Sequence, residues 1–242
     1  SEATPFAVVY INKIKYSLSH ACVLPDYAVV DPRLTMSLSP HQTACTGMDA
    51  LCQGIESFWS VHATEDSRQF SREAIELAFA YLSDAVNKPT LVARTGMAQA
   101  SHLAGKAIAI TKTTAPHAIS YPLTSYFGVT HGHAVALTVP EMLLFNAGVT
   151  DSDVLDARGS AHVKKMMREL VALLGASSSS AAAEKITALM KNTGLKTRLH
   201  ELSITEKDHM LILKNGFDPD RVKNNPRLLT EDALKKILEK IQ

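Results

Sequence analysis

The sequence has few aromatic residues, little net charge and no long apolar run. Only 6% of the 242 residues are aromatic, and alanine is abundant, which favours closely packed helices over an all-β fold. The formal net charge is +1, which excludes the broad positive field that proteins use to hold nucleic acid or anionic membranes. No apolar run approaches the ~20 residues of a membrane-spanning helix. We therefore expect a globular, mostly helical protein without a nucleic-acid or membrane partner.

Cysteine is also scarce, and its pattern is not that of a disulfide-bonded protein. The three cysteines are an odd number, and Cys45 and Cys52 are seven positions apart, which places them on one face of one helix. Small buried residues in a reducing compartment explain this pattern better than zinc ligands or a redox pair. We expect a cytoplasmic protein.

The chain opens with β-rich residues and then becomes helical. Residues 6–11 and 27–30 have the composition of strands, and two strands alone make a marginal structure. After Pro32, Ser39-Pro40 is a helix start, and apolar residues then recur at spacings of three and four. Further helices are expected near residues 65–86, 91–110, 141–147, 163–174 and 181–191, with later helix starts at Thr205 and Thr230. The stretch 91–110 is nearly free of charge, which predicts a helix at the centre of a bundle.

Asp49 and Gln53 are one helical turn apart in the first predicted helix, so their side chains share a face. Their neighbours are apolar, and a carboxylate in such surroundings costs free energy unless it is paired or binds a cation. On spacing alone, an exposed aspartate beside a glutamine remains the simpler interpretation. His117 and His131 are likewise single histidines, each of which is more often structural than a ligand.

The order of these segments resembles the iron-dependent alcohol dehydrogenase family. The resemblance is carried by Asp31-Pro32, the segment 46–51 (Thr-Gly-Met-Asp-Ala-Leu), His117 and Thr130-His131-Gly132, and it extends from residue 1 to about residue 227. It implies a mostly α fold, the helical bundle domain of the dehydroquinate synthase-like or iron alcohol dehydrogenase type, with a short β-strand remnant at the N-terminus. Residues 1–33 would be a strand segment left from an N-terminal nucleotide-binding domain, and residues 34–242 the all-helical, metal-binding catalytic domain.

The family holds a divalent metal with an aspartate, a histidine four residues later and two further histidines. The resemblance therefore implies these metal ligands here: Asp49, Gln53, His117 and His131. Gln53 departs from the pattern, because the family usually has histidine there. An amide oxygen is a neutral, weaker donor than imidazole, so we expect lower metal affinity and less preference for zinc. The implied metal is Fe²⁺, with Zn²⁺ as the alternative.

The resemblance also implies positions for proton transfer and for the cofactor. Tyr121 stands where relatives often have a histidine suspected of proton transfer, and a tyrosine, with an ordinary pKa of about 10, would be a slower acid. His133 is the second catalytic candidate. Residues Ser1, Glu2 and Thr4 resemble the end of a segment that borders the cofactor. No glycine-rich pyrophosphate loop occurs in the sequence, so NAD(P)H would be bound through the missing N-terminal domain.

The implied reaction is hydride transfer between NAD(P)(H) and a small alcohol or aldehyde. Lys112, followed by threonines and close to His117, would bind an anionic substrate group. The segment 112–122 looks like the branch of the family that reduces phosphonoacetaldehyde. Two alternatives stay open: a metal-free member that serves as an oligomerisation or binding domain, which Gln53 favours, and a zinc-dependent glycerol-type dehydrogenase, which would have histidine at position 53. Relatives are commonly dimers, so a homodimer or larger assembly is expected.

Overall fold

The computed structural model describes residues 2–12, 14–217 and 222–242. It begins with an antiparallel hairpin of β1 (Phe6–Ile11) and β2 (Ile14–Ser19). The prediction of a strand at residues 27–30 is wrong, because this segment has no regular structure. The partner of β1 is the segment directly after a tight turn, where Asn12 adopts a positive φ of 50°. Tyr27 and Val29 are instead 92% and 93% exposed.

Nine α-helices follow in the part of the chain that the structure describes, which confirms the mostly α fold. They are α1 (Pro40–Trp59), α2 (Glu65–Asn87), α3 (Leu91–Thr111), α4 (Ala115–Phe127), α5 (His131–Ala147), α6 (Ser160–Leu173), α7 (Ser179–Asn192), α8 (His209–Gly216) and α9 (Glu231–Lys240). Ser39, Thr64 and Thr90 cap the first three through their side-chain oxygens. One isolated β-bridge, between Val154 and Arg227, interrupts the helical region. None of the described helices combines the length and apolarity needed to cross a bilayer.

The centre of the bundle is α5, and the prediction that α3 fills this place is wrong. Every residue from 132 to 140 in α5 is buried, and this helix packs against α1, α4 and α7. In α3, by contrast, Leu91, Val92 and Ile110 are exposed. The small residues of α3 serve close contacts on one face: a Cβ at Gly96 would lie 2.2 Å from the ring of Tyr81 on α2. The low charge of α3 therefore indicates tight packing on one face of this helix and not burial on all sides.

Candidate metal centre

Three helices bring three of the predicted ligands together. Asp49 lies in the middle of α1, His117 in the first turn of α4, and His131 is the first residue of α5. The Nε2 atoms of His117 and His131 lie 3.3 Å and 3.8 Å from Oδ1 of Asp49. One donor atom from each of the three residues lies within 4.8 Å of the other two. Residues up to 82 positions apart in sequence thus form one cluster of metal-binding groups.

Gly132 is the reason that α5 comes so close to α1 at this point. A Cβ at this position would lie 2.0 Å from the carbonyl oxygen of Cys45 and 2.8 Å from the Cβ of Asp49. Neither atom belongs to a flexible side-chain end that could move away. The absence of a side chain at Gly132 therefore sets the distance between His131 and Asp49. Sequence reasoning missed this role, although the glycine stands directly after a predicted ligand.

The chemistry of the cluster fits a divalent transition metal. Two imidazoles and one carboxylate are the donor set of many catalytic zinc sites and of non-haem Fe²⁺ sites. Nε2 of His117 is buried and, within the described residues, makes no hydrogen bond. A buried polar atom without a hydrogen bond costs free energy that a metal ion would recover. Asp49 and His131 are partly exposed, so an ion can enter from solvent.

Gln53 lies beside the cluster and contacts its carboxylate. Its Nε2 donates a hydrogen bond to Oδ2 of Asp49 over 3.0 Å. In this orientation the amide nitrogen, and not the oxygen, faces the Asp49 carboxylate. A ligand role for Gln53 stays a proposal, since it requires the amide to turn over.

The cluster forms part of the wall of a cleft of about 1160 Å³. The hairpin and α3 form other parts of the same wall, and Glu2, Thr4 and Lys112 line it together with Asp49 and His131. The structure therefore places Glu2 and Thr4, predicted near the cofactor, and Lys112, predicted to bind the substrate, in the same cleft as the candidate metal centre. Ser1 lies outside the described residues.

His133 is not part of this cluster, and the structure does not support a catalytic role for it. Residues two apart in a helix point to opposite sides, so His133 faces away from Asp49 when His131 faces toward it. Its Nε2 donates to the carbonyl oxygen of Lys196 over 2.7 Å, and burial lowers its pKa. These contacts favour a structural role in the core, and the catalytic role of His133 stays a prediction.

Tyr121 is placed behind His131 rather than at the cleft. The two rings stack with centroids 6.5 Å apart and an interplanar angle of 17°, and the Tyr121 side chain is buried. The described residues that line the cleft do not include it. The contact supports a role in orienting His131 more directly than a role as proton donor.

The loading of the centre should depend strongly on pH. Burial lowers the pKa of His117, but the charge of Glu56, the 3.3 Å contact with the Asp49 carboxylate and the hydrogen bond with Glu56 outweigh it and raise the pKa to about 9. The metal-free site therefore holds a proton that a metal must displace, because only the neutral imidazole is a ligand. Apparent zinc affinity should rise about tenfold per pH unit from pH ~7 to ~9 and then level off. Competition titration with a chelator measures it, and a constant affinity across that range would contradict the assignment.

Known proteins share this arrangement of segments. Residues 43–242 match the model of the Fe-containing alcohol dehydrogenase family, C-terminal. The phosphonoacetaldehyde reductase of Streptomyces viridochromogenes is 35% identical over 241 residues, which cover 98% of this chain and 60% of the relative. The NAD-dependent methanol dehydrogenase of Bacillus methanolicus is 30% identical, with coverage of 99% and 62%.

A solved structure extends the similarity to three dimensions. The sulfoacetaldehyde reductase from Bifidobacterium kashiwanohense, in complex with NAD⁺, has a TM-score of 0.85 and 32% identity, covering 99% of this chain and 61% of that one. The chain thus spans about three fifths of the length of these relatives. With a family match from residue 43 to residue 242 and sequence identity along nearly its whole length, the chain belongs to the Fe-containing alcohol dehydrogenase family.

Proposed function

We propose that the chain is the metal-binding catalytic part of an NAD(P)-dependent alcohol dehydrogenase or aldehyde reductase. The observation that carries this proposal is the convergence of Asp49, His117 and His131 on one wall of a large cleft. Family membership supports the reaction class, and the relatives described above are named as an alcohol dehydrogenase and aldehyde reductases.

In the proposed mechanism the three ligands hold Fe²⁺ or Zn²⁺, which when bound supplies Lewis-acid polarisation of a carbonyl group. Asp49 would offset part of the positive charge of the ion, and Gln53 holds the Asp49 carboxylate through its 3.0 Å hydrogen bond. Tyr121 stacks on His131 and restricts the orientation of that ring. The chain's own residues thereby fix where a carbonyl oxygen is held while hydride is transferred.

The nicotinamide cofactor is proposed to enter the same cleft from the side of the hairpin. Glu2 and Thr4 line this side, and Oε1 of Glu2 is held 3.1 Å from Nδ1 of His102 on α3. The sequence contains no glycine-rich pyrophosphate loop, so we propose that most of the NAD(P)H contacts come from sequence beyond this chain. Residues 1–33 would then connect that nucleotide-binding part to the catalytic domain at 34–242.

The proposed substrate is a small anionic aldehyde such as phosphonoacetaldehyde. Lys112 ends α3 and is exposed at the cleft, with a backbone φ of 59° and ψ of −179°. Non-glycine residues in this region carry strain of about 1–3 kcal/mol, which is often found at functional sites. Two of the relatives are named as reductases of phosphonoacetaldehyde and sulfoacetaldehyde, both anionic aldehydes.

Lys112→Ala should selectively weaken binding of the anionic substrate group. We expect 2-hydroxyethylphosphonate to bind the zinc-loaded chain about 10- to 100-fold more weakly in this variant, because a charge-assisted hydrogen bond is lost. The affinity of a neutral alcohol such as 1-propanol should stay the same. Titration calorimetry with both ligands measures the difference.

Lys88→Ala is the matched control, since Lys88 ends α2 as Lys112 ends α3 but is not among the residues lining the cleft. Equal losses for the anionic and the neutral ligand would contradict the role of Lys112. Failure of the metal-loaded wild-type chain to bind either ligand would contradict the proposed function itself.

A metal-free binding or oligomerisation domain is the second candidate, and the hydrogen bond from Gln53 to Asp49 favours it. In that case the amide would replace the metal as the partner of the carboxylate. Zinc titration distinguishes the two functions. A glycerol-type zinc dehydrogenase, a homodimeric or larger assembly and a cytoplasmic location remain proposals; the last is supported by three cysteines that form no disulfide.

A further inference from the structure

Glu56 is a fully buried carboxylate one turn beyond Gln53 on α1, directly behind the candidate metal centre. Sequence reasoning missed it, although positions 49, 53 and 56 follow the spacing of one helical face. Its Oε2 contacts Nδ1 of His117 in a short hydrogen bond. A buried carboxylate is retained only where its oxygens are fully hydrogen-bonded, so its other contacts are informative.

The second oxygen of Glu56 is held by three donors. Oε1 accepts from the backbone N–H of Thr114 over 3.0 Å, from the Thr114 hydroxyl over 2.9 Å and from the backbone N–H of His117 over 3.4 Å. The direction of the hydroxyl is itself determined, because the indole N–H of Trp59 donates to the same Oγ1 over 2.9 Å. The hydroxyl proton therefore points to Glu56, and the carboxylate cannot rotate without losing these bonds.

We propose that Glu56 is a positioning residue that keeps the ring proton of His117 on Nδ1 and thereby leaves Nε2 available to a metal. Both ring nitrogens of His117 face a carboxylate, which can only accept, but only the contact of Nδ1 with Glu56 is a hydrogen bond among the described residues, so Nδ1 is the donor. Nε2 then carries the lone pair, and it is this atom that lies 3.3 Å from Oδ1 of Asp49. Such outer-shell carboxylates orient metal-bound histidines. The inference rests on the proposed metal centre.

Glu56→Gln should move the proton to the other nitrogen. The variant side chain has one oxygen, which the three donors at Thr114 and His117 would hold in the place of Oε1. Its NH₂ group would then face Nδ1 of His117, which must become an acceptor, and Nε2 would carry the proton. We expect zinc affinity to fall by about 10- to 100-fold.

The test combines zinc titration with ¹⁵N NMR of the histidine rings in the metal-free chain, recorded as the pH is raised until the ¹⁵N shifts of His117 show a neutral ring. In the wild type we expect the Nδ1–H tautomer, and in Glu56→Gln the Nε2–H tautomer with weaker zinc binding. Asp156→Asn removes another buried carboxylate, which is paired with Arg158, and should change neither readout.

An Nε2–H tautomer in the wild type would overturn the proposal even if the variant does not fold. Unchanged tautomer and zinc affinity in a folded Glu56→Gln protein would overturn it as well. Because the wild-type tautomer is measured without metal, it tests the role of Glu56 separately from the existence of the metal centre. Absence of zinc binding in the wild type would instead contradict the metal centre.

Discussion

Gly132→Ala is expected to dismantle the candidate metal centre while the helices themselves stay folded. The new methyl group would overlap the carbonyl oxygen of Cys45, 2.0 Å away, and the Cβ of Asp49, 2.8 Å away. Since both are close to the backbone of α1, the two helices must separate, which moves His131 away from Asp49. Overpacking of this kind costs about 1–3 kcal/mol of unfolding free energy, and a backbone contact places this case at the upper end.

Denaturant unfolding and zinc titration of the same variant measure the two effects. Gly148→Ala is the matched control, because Gly148 caps the other end of α5. Its φ is −86°, and the atom nearest to a new Cβ is in the movable guanidinium of Arg227, at 3.1 Å. We expect the control to bind zinc as the wild type does. If Gly132→Ala kept both its stability and its zinc affinity, the close approach of α5 to α1 could not be what forms the site.

Asp49→Asn should remove most of the metal affinity with little change in shape. Asparagine keeps the volume of the side chain but loses the charge that faces both His117 and His131. Loss of a ligand should exceed the 10- to 100-fold cost of losing an outer-shell partner, so we expect at least a ~100-fold lower zinc affinity. Elemental analysis after dialysis and a chelator competition titration measure it.

Asp84→Asn, an exposed aspartate late in α2, controls for the loss of one negative charge. It should retain wild-type zinc binding. Near-stoichiometric zinc in Asp49→Asn would show that the ion is held elsewhere. The metal-free alternative predicts a different pattern, with no zinc in the wild type and no effect of either substitution.

The sequence predicted α1, α2, α3, α6 and α7 well, because their caps and apolar spacing are local signals, but α4 and residues 131–140 of α5 were not predicted as helix. The start of α1 at Ser39-Pro40 follows from such signals, and α2 ends at Asn87, one residue beyond the predicted end. Of the hairpin, the sequence predicted β1 but not β2, because strand pairing depends on which segment lies beside β1. Residues 27–30 have the composition of a strand but do not pair with β1. The central position of α5 was also missed, because burial on all sides depends on which other helices pack around it.

At the candidate site too, the sequence predicted what local motifs determine and missed what contacts between helices determine. Asp49, His117 and His131 were found through the order of their motifs, and the structure brings all three together. Glu56 and Gly132 act through contacts between helices, which no local pattern reports. His133 was a catalytic candidate that the family resemblance implied, but two positions along a helix from His131 lead to the opposite face.

X-ray absorption spectroscopy of the chain loaded with one equivalent of zinc tests the central claim most directly. We expect one ion per chain with nitrogen and oxygen ligands at about 2.0–2.2 Å and the scattering pattern of two imidazole rings. Loss of that signal in Asp49→Asn would confirm the assignment to this site. Sulfur ligands at about 2.3 Å, or no zinc bound at stoichiometric concentration, would contradict a metal centre at Asp49, His117 and His131.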